Sequence, residues 1–113
     1  MKEDLALQIK NLIAHVQDTL FVLGGKWRLP IIIAIKHGNH RFKDIKDFVP
    51  NITNRVLSAE LKTLEANKLI TRTVYDTSPI IVEYKITEYA LTVKEVVNTM
   101  GDWGANHRKK LKE

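Results

Sequence analysis

The sequence predicts an α+β fold, mostly α, in a single domain of 113 residues. Three observations carry this. Apolar side chains recur at helical spacing in four separate stretches. Two other stretches, "LITRTVYD" and "IIVEYKIT", are rich in β-branched and aromatic residues, alternate, and flank a turn-forming "TSP". Glycine and proline fall between the patterned stretches, where chain reversals belong. The resulting order is helix, helix, short helix, helix, hairpin, helix. That is the order of a winged helix-turn-helix with additional helices at its N- and C-termini. Residues 1–24 form the N-terminal helix, 26–87 the helix-turn-helix and wing, and 88–110 the C-terminal helix.

The first helix shows Leu5, Ile9, Leu12, Ile13, Val16 and Leu20 on one face, with polar residues between, and stops near Gly24-Gly25. "IIIAI" at 31–35 suits a buried strand or a buried helix. Lys36, His37 and Gly38 decide for a short helix, because cations and a glycine suit a helix C-terminus. Pro30 fits a helix only in the first turn, so that helix starts at about Trp27. Trp27 itself reads as a core plug between this helix and the fourth, and the two glycines before it as a hinge.

Phe42, Ile45 and Phe48 or Val49 make a helix of one to two turns, closed by Pro50. Thr53 is an N-cap for a longer helix whose core stripe is Val56, Leu57, Leu61 and Leu64. A hairpin over 70–86 follows, its tip at Asp76-Thr77-Ser78-Pro79. Thr87 caps the last helix, with Glu88 in its first turn and a stripe of Val93, Val96, Val97, Met100 and Trp103.

A chain with 44% hydrophobic and 27% charged residues suits a soluble globular domain. Cysteine is absent, which excludes disulfides, Cys-ligated zinc and thiol chemistry. The start is not a signal peptide, and no apolar run approaches a membrane span, so the expected compartment is the cytoplasm with no membrane partner. The net charge is +5 and concentrates in the middle: residues 26–85 hold eleven basic side chains against six acidic ones. Such a distribution points to nucleic acid or to another anionic surface.

Residues 40–68 read as a helix-turn-helix. The helix over about 53–67 carries Asn54, Arg55, Ser58 and Lys62 opposite its apolar stripe. Asn54, Ser58 and Lys62 stand four apart in one row. Small or flexible polar side chains near a helix N-terminus are what a reader of base edges needs in a groove about 12 Å wide. Arg55 can pair with a guanine edge and Asn54 with adenine. A solvated helix face would look the same taken alone. Thr53 and the cations around it, Lys26, Arg28, Arg41, Lys43 and Arg72, add candidate phosphate contacts. Thr77 and Ser78 at the hairpin tip are candidate wing contacts. The end helices each carry more apolar surface than a small core covers. Leu5, Ile9, Leu12, Ile13 and Val16 with Val96, Met100 and Trp103 are therefore a candidate homodimer interface.

"LGGKW", "HRFKDIKDFVPNITNRVLSAELKTLEANKLITRTVY", "VEYKITEYA" and "GDWGANH" together resemble the HxlR family of winged-helix transcriptional regulators, related to MarR- and PadR-type regulators. The resemblance spans roughly Leu20 to His107. It implies a homodimeric regulator of double-stranded DNA, paired through its first and last helices. The implied base-facing residues are Asn54, Arg55, Ser58 and Lys62. Many members carry a cysteine near the domain's start, some of them sensing oxidants through it, and this chain has none. Members often place a basic residue in the wing's turn, where this chain has Pro79, Ile80 and Ile81. Pro30 stands where an ordinary helix former is usual, and the segment before Val16 extends the usual start.

No catalytic constellation emerges. His15, His37, His40 and His107 lack metal-ligand spacing, Ser58 lacks a His/Asp pairing, and Gly24-Gly25 lacks phosphate-loop spacing. The expectation is a non-enzyme without metal or cofactor, with room for an unspecified small-molecule effector. The competing reading is a winged-helix interaction module that meets an acidic protein partner, which the weakly basic wing favours slightly.

Overall fold

A computed structural model describes residues 2–113. It contains α1 (Lys2–Leu23), α2 (Arg28–Lys36), α3 (Phe42–Phe48), α4 (Asn54–Ala66), β1 (Ile70–Tyr75), β2 (Ile81–Ile86), a 3-10 turn (Tyr89–Val93) and α5 (Lys94–Leu111). The expected fold class, mostly helical with one two-stranded antiparallel sheet, is the one observed.

The core is apolar throughout, with no buried polar or charged side chain among the described residues. Ile31, Ile32, Ala34 and Ile35 from α2 meet Ile45 from α3, and Leu57, Leu61 and Leu64 from α4. Leu69 and Ile70 close one side, Ala90 and Val93 another. "IIIAI" is helical because it is the centre of this core. A nine-residue helix with weak β-branched propensity is stabilised by burial rather than by its own backbone. Gly38, at φ +101°, ends it: Gly38 N–H donates to Ile35 and Asn39 N–H to Ala34, both at 3.1 Å.

Trp27 is the N-cap of α2 and Pro30 lies in the first turn, so the helix begins where the proline requires. Trp27 is half-buried and packs against the core edge instead of filling its middle. The junction before it is not a free hinge. Gly25 takes φ +86°, and a Cβ on Gly24 would run into the Leu20 carbonyl oxygen. The turn is then braced by Arg28, described below.

The α3–α4 turn passes through Asn51 at φ +69°, a value asparagine tolerates better than most residues. At the far end of α4, Lys68 is left-handed (φ +64°), and Leu69 N–H donates to the Leu64 carbonyl at 3.0 Å. The hairpin register pairs Ile70 with Ile86, Arg72 with Tyr84 and Val74 with Val82. Only Ile70 of β1 is buried, so the hairpin projects from the body as a wing, and Val74 is exposed.

One boundary differs from the sequence expectation. The C-terminal helix does not start directly after Thr87. Thr87 Oγ1 accepts from Ala90 N–H at 3.1 Å, but it also donates to the Lys68 carbonyl at 2.8 Å. Thr87 N–H donates to the Leu69 carbonyl as well. Tied to the end of α4, the chain first winds as a tight 3-10 turn, and α5 opens only at Lys94.

Candidate nucleic-acid interface

Burial fixes how α4 is rolled. Leu57, Leu61 and Leu64 are at most 2% exposed, so the opposite row must face solvent. Asn54, Arg55 and Lys62 are exposed on it and Ser58 is half-buried. Thr53 Oγ1 accepts from Val56 N–H at 3.2 Å, which commits that oxygen to capping the helix. The remaining free N–H groups of the first turn and the side chains of Asn54 and Arg55 open outward together.

The cations around this helix differ in what they do. Arg41 stands at the N-cap position of α3, and Lys43 in its first turn; both are exposed. The His40 carbonyl accepts from Tyr84 N–H at 2.7 Å, which stitches the start of α3 to the wing. Arg72 is exposed on β1, directly across from Tyr84. Among the described residues only two ion pairs form, Arg28–Glu60 and Lys110–Glu113. Arg41, Lys43, Arg55, Lys62 and Arg72 therefore carry uncompensated charge. Lys26 is exposed, with its ammonium 4.8 Å from the Trp27 ring centroid, a cation–π contact.

Arg28 departs from its sequence expectation as a phosphate contact. Its Nε donates to Glu60 Oε2 at 2.7 Å, and its Nη1 donates to the carbonyls of Phe21 and Val22. Three of the five guanidinium donors join the end of α1 and the start of α2 to α4, and only Nη2 is uncommitted. The wing tip is also occupied with itself: the exposed Thr77 hydroxyl donates to the Pro79 carbonyl at 2.7 Å. Ser78 is exposed beside it, and residues 76–80 carry no cation.

Between α4 and the wing lies a cleft of about 300 Å³ lined by Ser58, Leu61, Lys62, Glu65, Arg72 and Tyr84. Sequence reasoning assigned Ser58, Lys62 and Arg72 but not Glu65 or Tyr84. Glu65 continues the row seven residues beyond Ser58, so helical spacing could have found it. Tyr84 is brought there by strand register with Arg72, which the sequence does not specify.

The apolar face of α1 stays open to solvent: Leu5, Ile9, Leu12, Ile13 and Val16 are 47–61% exposed. On α5, Val96, Met100 and Trp103 are exposed too, and Trp103 stacks on His107 at 4.9 Å. No group of three or more metal-ligating side chains occurs among the described residues. No described helix is long and apolar enough to cross a membrane.

The HxlR-like helix-turn-helix family profile matches residues 22–112. The chain is 40% identical over 92 residues to YtcD of Bacillus subtilis strain 168, an uncharacterised HTH-type transcriptional regulator, covering 81% of this chain and 73% of that one. The crystal structure of YtcD superposes with a TM-score of 0.78 at 39% identity, over 83% of this chain and 96% of that one. The redox regulator HypR in its reduced form superposes equally well, with a TM-score of 0.78 at 37% identity, over 86% and 96% of the two chains. A MarR-family regulator from Enterococcus faecalis V583 gives 0.74 at 25% identity, over 86% and 88%. The residues matched by the profile run from the last turn of α1 through the wing to the end of α5, and the relatives share the same three-helix-and-wing body. By sequence and by fold, this chain belongs to the HxlR-like helix-turn-helix family of transcriptional regulators.

Proposed function

We propose that this chain binds double-stranded DNA as a homodimer on a near-palindromic operator, in the cytoplasm, with α4 in the major groove and β1–β2 as a wing. The observation that carries the reading is the solvent face of α4. Asn54, Arg55, Ser58 and Lys62 project from a helix rolled into place by three buried leucines, amid cations that have no ion partner among the described residues. Asn54 and Arg55 supply the side-chain geometries that pair with adenine and guanine edges. Arg41, Lys43, Lys26 and Arg72 supply phosphate contacts that set register without reading sequence. Thr53 contributes as the cap that orients the helix, and Ser78, with Thr77 once its hydroxyl leaves the Pro79 carbonyl, reaches toward the backbone beyond.

The dimer follows from the apolar faces of α1 and α5. Large exposed hydrophobic patches on a small domain mark interaction surfaces. A two-fold pairing would set the two α4 helices one DNA turn apart, about 34–36 Å, or a multiple.

The test is selection of bound duplexes from a random pool, followed by titration of the selected site against salt. The expected result is an enriched near-palindrome bound with steep salt dependence. Arg55→Glu is expected to lose at least about 100-fold in affinity, since it removes a base contact worth roughly 1–3 kcal/mol and adds repulsion. Undiminished binding by Arg55→Glu would remove α4 from the major groove. A pool with no enriched motif would favour the alternative, an acidic protein partner on the same basic face.

A further inference from the structure

The cleft between α4 and the wing contains five polar side chains that come from three separate elements. Ser58, Lys62 and Glu65 line it from α4, Arg72 from β1 and Tyr84 from β2. Leu61, 2% exposed, gives it an apolar floor. Lys62, Glu65 and Arg72 form no ion pair with one another or with any other described residue, although they share one cleft. Arg72 and Tyr84 are a cross-strand pair, so their side chains leave the same face of the hairpin. The backbone of Tyr84 is fixed by the bond from its N–H to the His40 carbonyl, and its side chain packs partly against the core. The phenol is thus held in place, whereas the two cations are exposed and have no ion pair among the described residues.

We infer that this cleft is a site for one DNA phosphodiester, anchored by Lys62 and Arg72 and positioned by the Tyr84 hydroxyl, with Glu65 limiting its strength. The inference rests on the reading of α4 as a recognition helix and deepens it. Two cations and one carboxylate leave the cleft a net charge of +1. That is enough to hold a phosphodiester, which carries one negative charge, and the approach of a duplex between α4 and the wing supplies the diester in place. Phenol and serine hydroxyls also donate to phosphate oxygens, and a phenol held by its strand adds one fixed direction to the stronger charged contacts. Glu65 lowers affinity for every duplex alike, so that contacts from Asn54 and Arg55 decide which duplex is held.

The test measures the wild-type chain and three variants on a selected operator and on a random duplex, across a salt series. Tyr84→Phe is expected to weaken both duplexes equally, by roughly 3- to 10-fold, with the salt slope unchanged, since no charge is lost. Arg72→Gln is expected to weaken both and to lower the slope by about two, one phosphate contact for each subunit of the dimer. Glu65→Gln is expected to tighten both, the random duplex at least as much as the operator. Circular dichroism melting of each variant separates these effects from unfolding. Inorganic phosphate is expected to displace no more DNA than chloride at equal ionic strength.

Tyr84→Phe and Arg72→Gln binding within about twofold of wild type, while Arg55→Glu fails to bind, would overturn the cleft and leave the recognition helix standing. Weaker operator binding by Glu65→Gln would instead make Glu65 a base reader, and competition by phosphate beyond that of chloride would make the cleft a free-anion site; either result rejects the inference. If the wild-type chain enriches no duplex, the recognition-helix reading fails first, and the inference falls with it.

Discussion

Arg28 binds three partners through one guanidinium, which commits its Nε and Nη1 and leaves only Nη2 for a phosphate. Its Nε faces Glu60 and its Nη1 faces two carbonyls at the end of α1, groups that a helix C-terminus otherwise leaves to water. Both side chains of the pair are about one-fifth exposed, so the contact is partly desolvated. Arg28→Met is expected to cost about 2 kcal/mol, the scale of hydrogen bonds to a charged group, read as a lower unfolding midpoint. The salt slope of DNA binding by the folded variant is expected to stay unchanged; a slope lowered by about two, one contact per subunit, would return Arg28 to the phosphates. The sequence could not distinguish Arg28 from Lys26 or Arg41, because its partners lie 32 residues away at Glu60 and on a neighbouring helix. Thr53 and Pro30, by contrast, were legible, because capping and proline geometry depend only on the nearest few residues.

Among the elements, α4 was readable almost to the residue and α5 was not. A single run of leucines at helical spacing, opened by a capping threonine, determines α4 locally. The start of α5 is set by the bonds from Thr87 back to Lys68 and Leu69, and no local pattern reports them. The α5 helix also holds Gly101 and Gly104, each of which weakens an exposed helix by about 1 kcal/mol relative to alanine. A Cβ at either position would meet nothing within 4 Å in this chain. Gly104 falls on the apolar stripe, one turn beyond Met100. If α5 faced only water, Gly104→Ala would simply stabilise the chain. The dimer reading expects the reverse at the level of assembly. An added methyl in a packed interface costs roughly 1–3 kcal/mol, so Gly104→Ala should weaken self-association about tenfold or more, as measured by dilution in analytical ultracentrifugation.

The whole molecule is far from spherical, with extents of 65 × 38 × 23 Å and a radius of gyration of 17.5 Å. A compact chain of this length would have a radius near 13 Å. The excess comes from α1 and α5, whose apolar faces find little to cover them within one chain. The sequence foretold those stripes and that a small core would not cover both; how far each stays open depends on where the body ends. Trp103→Glu is expected to leave the body folded and the mass in light scattering at 13.0 kDa, against twice that for the parent. Operator affinity is expected to fall by about 10²-fold or more as two linked half-sites become independent. The Arg28 brace then acquires a mechanical meaning. The α1 helix is a cantilever about 33 Å long, clamped at one end by a guanidinium that also grips α4, the proposed reading helix. A tilt of about 5° at that clamp would carry the free end about 3 Å, roughly two residues of helical rise. In the proposed dimer, stiffness at Arg28 and Glu60 would therefore be a tolerance: it would limit how far the separation of two reading heads drifts from the pitch of the double helix.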